Sequence, residues 1–279
     1  MATSFTLIIL SAFFHSSWNI LVKSAKNKHS FTVHIHIAAT IFMTVILVLF
    51  FRDDIYFDKN TVLFALCSAF FFSLYQVFVA EAYKCADVSM VYPITTSSPL
   101  FIIVWAFFLL GEKISLVGFV GVILTIAGCY IMNMTKGSNK TAFRGILIAG
   151  LAALFYSFGA MADKMGVTSV NTVLYIYLMT FFMTIFTSLF VGMAHLYTKK
   201  AKVEWKLVIL GGLALASSTI FYRLGLIDIP IAYATSLRQI SAFFGLMMGI
   251  ILFKESYGIK RAIGCVVIIS GIVLIRLGI

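Results

Sequence analysis

The chain has 279 residues, of which 62% are hydrophobic and only 11% charged, and it carries a net charge of +11 at pH 7. So little polar surface cannot cover a water-soluble globule of this size, so a soluble domain is excluded and lipid is the solvent for most of the chain. In such a chain the surplus of lysine and arginine reports orientation and contact with anionic lipid, and no nucleic acid is expected as a partner.

Apolar stretches long enough to cross a hydrocarbon core about 30 Å thick, at about 1.5 Å per residue, recur ten times. The first, Thr3 to Val22, has neither a basic leader nor a small-residue cleavage site and reads as a retained span rather than a signal peptide. Spans two to five are Phe31 to Phe51, Val62 to Ala82, Val88 to Leu110 and Leu116 to Met134. Spans six to ten are Phe143 to Ala162, Thr172 to His195, Trp205 to Leu226, Ile231 to Phe253 and Tyr257 to Ile275. The longest connections, near Arg52 to Asn60, Lys136 to Arg144 and Tyr197 to Lys206, are too short to fold alone. Cys67, Cys85, Cys129 and Cys265 lack CxxC spacing and read as small apolar packing residues.

Loops after the odd-numbered spans carry fourteen Lys and Arg, and those after the even-numbered spans plus the C-terminus carry six, with Arg223 counted in the loop after span eight. The positive-inside rule then puts the odd loops in the cytoplasm and both termini outside, in a cell inner (plasma) membrane.

A shift of 143 residues lays Leu110 to Gly128 on Phe253 to Gly271, matching Glu112 with Glu255, Gly121 with Gly264 and Gly128 with Gly271. A shift of 141 lays Ser11 to Lys23 on Ala152 to Lys164, matching Ser16 with Ser157 and Lys23 with Lys164. Each copy holds five spans, and an odd number forces the second copy into the membrane upside down. Inverted repeats of this kind let one half rock against the other about a site near the midplane.

Ionisable or strongly polar groups inside spans are costly and mark candidate sites. All ten acidic residues fall in loops or at span ends, which argues against an exporter of lipophilic cations. Arg238 is the eighth residue of span nine and shares a helical face with Ala234, Ser241, Ala242, Gly245 and Gly249. A guanidinium there suits a carboxylate, phosphonate or phosphate, or else a structural pair with Glu81 or Asp228. His15, Asn19 and Lys23 share a face of span one with Trp18 beside it. His15 suits a solute contact, a proton carrier or an interhelical hydrogen bond, and Lys23 suits a snorkelling position.

Span four holds Tyr92, Pro93, Thr95, Thr96, Ser97, Ser98 and Pro99, too polar a run for lipid exposure, and its two prolines free backbone carbonyls. Gln76 in span three, Tyr156 in span six, Tyr222 in span eight and Gln239 in span nine are further solute ligands or helix ties. Gly118, Gly121, Gly128, Gly264 and Gly271 read as packing positions, and Glu112 and Glu255 either as caps at the helix turn or as pairs there with Lys113 and Lys254. His34 and His36 point about 200° apart on a helix, a poor metal clip.

Three segments, LGEKISLVGFVGVILTIAGCYIM, FKESYGIKRAIGCVVIISGIVLI and VSMVYPITTSSPLFIIV, resemble the drug/metabolite transporter superfamily, in particular its EamA-type ten-helix permeases. The resemblance covers two units, residues 3–133 and 143–276, and implies an all-α integral membrane fold of ten transmembrane helices as two inverted five-helix EamA-like repeats. It also implies a central cavity lined by spans one, three, four, six, eight and nine, with five and ten peripheral. Lys254 stands where the first copy has Gly111, and Ser236 where it has Pro93, so the halves have diverged. HSSWNILVK in span one is similar to a subgroup some of whose members accompany phosphonate-utilisation genes.

The function expected is secondary transport of a small anionic or zwitterionic metabolite, such as an amino acid, organic acid or phosphonate, by alternating access. The alternative within transport is export of neutral or aromatic metabolites. No HExxH, GxSxG or GxxxxGK[ST] motif occurs, so an enzyme is not expected, nor are a cofactor, metal or catalytic residue. The rival of another class is a membrane-embedded enzyme or a receptor without transport. The substrate-binding set is Arg238, His15, Asn19, Trp18, Tyr92, Thr95, Thr96, Gln76, Tyr156, Tyr222 and Gln239. The partners are a small-molecule solute, membrane lipid and a coupling proton, with the chain a monomer or homodimer.

Overall fold

The computed structural model describes residues 2–86, 91, 94–133, 142–169, 171–195, 204–253 and 258–279, and their regular structure is entirely helical. The first half comprises α1 (Ala2–Ser24), α2 (Lys28–Phe50), α3 (Lys59–Cys85), α4 (Ser98–Leu110) and α5 (Leu116–Asn133). The second comprises α6 (Ala142–Val167), α7 (Thr172–His195), α8 (Trp205–Leu226), α9 (Ile231–Leu237), α10 (Ser241–Phe253) and α11 (Ile259–Gly278). A 3-10 turn, Arg238–Ile240, joins α9 and α10 into a single span. Eight of the spans are long and apolar enough to cross a membrane, and the shorter apolar α4 and α5 complete the predicted ten.

Local chemistry sets several boundaries. Asn27, Asp58 and Asn171 accept the first free backbone N–H groups of α2, α3 and α7, which a helix start otherwise leaves unmet. Gly111 ends α4 at φ 65°, a left-handed conformation in which a Cβ is strained.

The two halves pack on each other more than on themselves. α1 lies along α8 and α3 along α6, while α5 pairs with α11. Exchanging the repeats converts the first of these pairs into the second and maps the third onto itself, as an inverted repeat requires. The predicted packing glycines make the third pair possible. A Cβ on Gly121 falls 2.6 Å from the Gly271 carbonyl oxygen, and one on Gly128 falls 2.7 Å from that of Gly264. Gly121→Val is therefore expected to force α5 and α11 apart and cost about 1–3 kcal/mol. Gly150→Ala, with nothing within 4 Å of its Cβ, leaves stability unchanged or higher. Melting temperatures in detergent check both.

Three sequence expectations change. α6 runs to Val167, past the predicted end at Ala162, and draws Asp163 into the protein, where it is 1% exposed. An acid thus lies inside a span after all. Arg223 belongs to α8, not to the following loop, and is 5% exposed. Spans four and nine are each interrupted, at Thr96–Ser97 and at Arg238–Ile240.

The two interruptions share a feature. Hydroxyls back-bond to carbonyls of the preceding turn: Ser97 Oγ to Ile94 O at 2.6 Å, Thr235 Oγ1 to Ile231 O at 2.9 Å and Ser236 Oγ to Ala232 O at 2.8 Å. In span four Pro99 also removes a donor at the start of α4. The two breaks touch, with Gln239 Nε2 donating to Thr96 O at 3.4 Å.

Candidate functional site

The breaks face a cavity of about 440 Å³ in the centre of the bundle. Its wall follows α1 from His15 through Asn19 to Lys23, which is exposed in the last turn of that helix. Thr95 and Thr96 line it from span four, Tyr156 from α6, and Arg238 and Gln239 from the α9–α10 turn. A smaller inner chamber of about 120 Å³ adjoins it and shares His15, Tyr75, Tyr156 and Arg238. Trp18 and Gln76 line this inner space, together with His36 from α2, Thr180 from α7, and Thr219 and Arg223 from α8.

Of the eleven predicted site residues, nine therefore wall one or both spaces. Tyr222 is buried behind Arg238, whose guanidinium carbon lies 4.5 Å from the centre of its ring, so it supports the arginine from the rear. Tyr92, with Pro93, lies outside the described residues. Asn19 spends one donor on its own helix, Nδ2 to His15 O at 2.8 Å. The face predicted around Arg238 survives in part. Ser241, Ala242 and Gly245 line the cavity, while Ala234 is fully buried, because the 3-10 turn rotates the chain between them.

Arg238 sits at the junction of the two spaces. Its Nη2 lies 3.0 Å from His15 Nδ1 and 3.5 Å from Ser218 Oγ. A guanidinium can only donate, so His15 Nδ1 is the acceptor and this imidazole is neutral, with its remaining N–H on Nε2. His15 packs edge-on against Trp18, with ring centres 5.2 Å apart. Neither expected carboxylate partner is present. Glu81 pairs with Lys84 at 2.8 Å on the surface, and Asp228 accepts from Ser4 Oγ at 2.6 Å. Among the described residues no carboxylate lies within ion-pair distance of Arg238.

The other arginine of the inner space is buried and neutralised. Arg223 Nε donates to Asp163 Oδ1 at 2.9 Å, and the Tyr175 hydroxyl donates to the same oxygen at 2.7 Å. Arg223 Nη2 is left against the thioether of Met179 at 3.1 Å, a weak acceptor. Sequence reasoning missed Arg223 by placing it in a loop, and weighed His36 only as a metal clip with His34. The two histidines do diverge. His34 packs against the Trp205 ring and its Nδ1 lies 2.6 Å from Ser30 O, whereas His36 is 3% exposed and lines the inner chamber. A polar residue alone inside an apolar span was the available signal for His36.

The Ser4 end of the bundle is tied together by polar groups. Lys164 Nζ donates to the carbonyls of Leu226, Ile227 and Ile229 at 2.7, 3.1 and 2.9 Å, and lies 3.9 Å from Glu112. Glu112 accepts the Ile231 N–H at 2.9 Å, so it caps α9 of the opposite repeat instead of pairing with Lys113. Burial pushes the Glu112 carboxyl above its ordinary range, while the Ile231 N–H and Lys164 pull it back. Glu255 and Lys254 lie outside the described residues. Lys23, the repeat counterpart of Lys164, stands at the opposite end of the bundle, on the cavity wall.

A solved structure titled "Crystal structure of protein" superimposes with a TM-score of 0.80 over 99% of this chain and 97% of its own, at 14% identity, and so shares the fold. A search of curated protein sequences finds no match. The model of the EamA-like transporter family matches twice, over residues 3–134 and 143–277. The two matches take in nearly the whole of this ten-span membrane protein, and the chain belongs to the EamA-like transporter family.

Proposed function

We propose that the protein is a secondary transporter of a small anionic or zwitterionic metabolite, bound in the central cavity between the two repeats. The observation that carries this reading is the guanidinium of Arg238. It stands in the cavity wall beside a neutral histidine, a serine hydroxyl and a tyrosine ring, with no carboxylate within ion-pair distance among the described residues. A guanidinium that is half-buried, with its Nε shut away from water and without a counter-ion, carries an uncompensated desolvation cost, and a solute carboxylate, phosphonate or phosphate supplies the missing charge with paired hydrogen bonds. Asn19, Thr95, Thr96 and Gln239 then serve as polar contacts to the rest of the solute, and the packed rings of Tyr75 and Tyr156 as its apolar floor.

The loops on the Lys23 side hold the surplus of Lys and Arg, and moving Arg223 into α8 increases their majority. We place that side in the cytoplasm, with the termini outside, so the cavity wall reaches the cytoplasmic face at Lys23.

The test is ligand-dependent stabilisation of the purified protein, followed by flux in proteoliposomes, across matched carboxylates, phosphonates, uncharged amides and neutral aromatic metabolites. Saturable stabilisation and counterflow by anions, lost in the amides, is the expected result. Flux of neutral aromatic compounds with no response to any anion overturns the assignment. Repeating the flux under an imposed pH gradient reads out proton coupling through His15.

A further inference from the structure

The inner chamber adds something that the central cavity does not. Three of the residues that wall it each carry a buried side-chain nitrogen with no hydrogen-bond partner among the described residues: Trp18 Nε1, His36 Nδ1 and Arg238 Nε. The indole and guanidinium nitrogens can only donate, and His36 donates from Nδ1 by taking the matching tautomer. Buried donors are nearly always paired, and each unpaired one carries an uncompensated desolvation cost. Here three of them share one small space, drawn from α1, α2 and the α9–α10 turn.

A fourth donor group is poorly served. Arg223 Nη2 faces only the sulphur of Met179, although the charge of Arg223 is balanced by Asp163. Phe72, Met179, Met183 and Leu215 give the chamber an apolar side, which strengthens any electrostatic interaction there, and Gln76, Thr180 and Thr219 complete the wall with polar side chains. At about 120 Å³ the chamber holds a compact group rather than a whole metabolite, and it opens to the larger cavity past His15, Tyr75, Tyr156 and Arg238.

We propose that the inner chamber is the head-group subsite. An oxyanion, carboxylate or phosphonate, passes Arg238 and accepts from Trp18 Nε1, His36 Nδ1 and Arg238 Nε, while the rest of the solute stays in the larger cavity. This rests on the anionic reading of the central site and adds where the charge goes. It also gives a function to α2 and α7, the spans that the family resemblance leaves off the cavity wall.

The probes are acetate and methylphosphonate, which are little more than head groups, with acetamide as the uncharged control. In the full-length protein in detergent, the anions are expected to bind saturably and to change tryptophan emission, and the emission change should vanish in Trp18→Phe. That variant keeps the ring and removes one N–H, and its affinity for methylphosphonate should fall about tenfold, as expected for one hydrogen bond to a charged acceptor. His36→Leu should weaken it similarly, and the shape-conserving Trp18→Phe decides the matter if His36→Leu does not fold. Anion binding that is lost in Arg238→Gln but unchanged in Trp18→Phe puts the head group in the larger cavity and overturns the subsite alone. No anion binding to the unmodified protein overturns the transport assignment with it. The relative affinities of acetate and methylphosphonate tell a planar head group from a tetrahedral one.

Discussion

Arg238→Gln is expected to abolish anion transport while leaving the protein at least as stable as the parent. The two effects share a cause. Truncating one side of a buried, hydrogen-bonded charge pair costs about 2–5 kcal/mol, which is about thirtyfold to several thousandfold in affinity for the anion. Without ligand the half-buried guanidinium has neutral neighbours, His15, Ser218, Tyr156 and Tyr222, so its removal relieves the desolvation cost of its buried Nε, which no carboxylate among the described residues offsets. Binding of a responsive anion and the melting temperature without ligand, measured on the same preparation, check the pair. A collapse of the melting temperature together with binding makes Arg238 a strut of the fold instead.

The opposite behaviour is expected of Arg223, which is buried. Asp163→Ala leaves Arg223 charged, buried and unpaired, and should destabilise the protein by about 3–5 kcal/mol. It also strands the Tyr175 hydroxyl, which donates to the same carboxylate oxygen. Removing both charges, as Asp163→Leu with Arg223→Met, should recover most of the loss, since an apolar pair of similar volume replaces a desolvated ion pair at little cost. Thermal unfolding of Asp163→Leu, Arg223→Met and the double variant closes the cycle. Equal losses in the single and double variants mean that the pair does not act as a unit. The contrast tests the proposal: Arg223 is paired within the protein, whereas Arg238 is proposed to pair with a ligand.

Much of this was readable before any coordinates. Hydropathy and span length gave ten helices because the requirement to satisfy backbone groups within lipid is local to each segment. The repeat was readable because Glu112, Gly121 and Gly128 recur 143 residues later. Arg238 and His15 stood out because a charge or imidazole inside an apolar run is costly wherever it faces. Helical periodicity also placed Asn19 and Lys23 on the His15 face, and all three line the cavity.

The interruptions at Thr96–Ser97 and Arg238–Ile240 were half legible. The hydroxyls and prolines were visible, but whether a back-bonding serine breaks a helix depends on what its neighbours offer. The end of α6 was misjudged because hydropathy stops at the first charge. Asp163 and Lys164 continue the helix because Arg223 and the carbonyls at the end of α8 receive them. Those partners are about 60 residues away in sequence.

What the sequence determined by itself, then, is membership of lipid, the count and length of the helices, their inverted duplication and the identity of the polar groups within them, all properties of segments. Only the tertiary structure decided which of those polar groups are paired. It set Asp163 against Arg223, left Arg238 without a carboxylate among the described residues, and brought His36 of α2 and Trp18 of α1 to the wall of one chamber. The reason is physical. The repeats pack mainly on each other, so the contacts that neutralise or expose a buried charge join residues as distant as Ser11 and Ser218, and no local pattern encodes them.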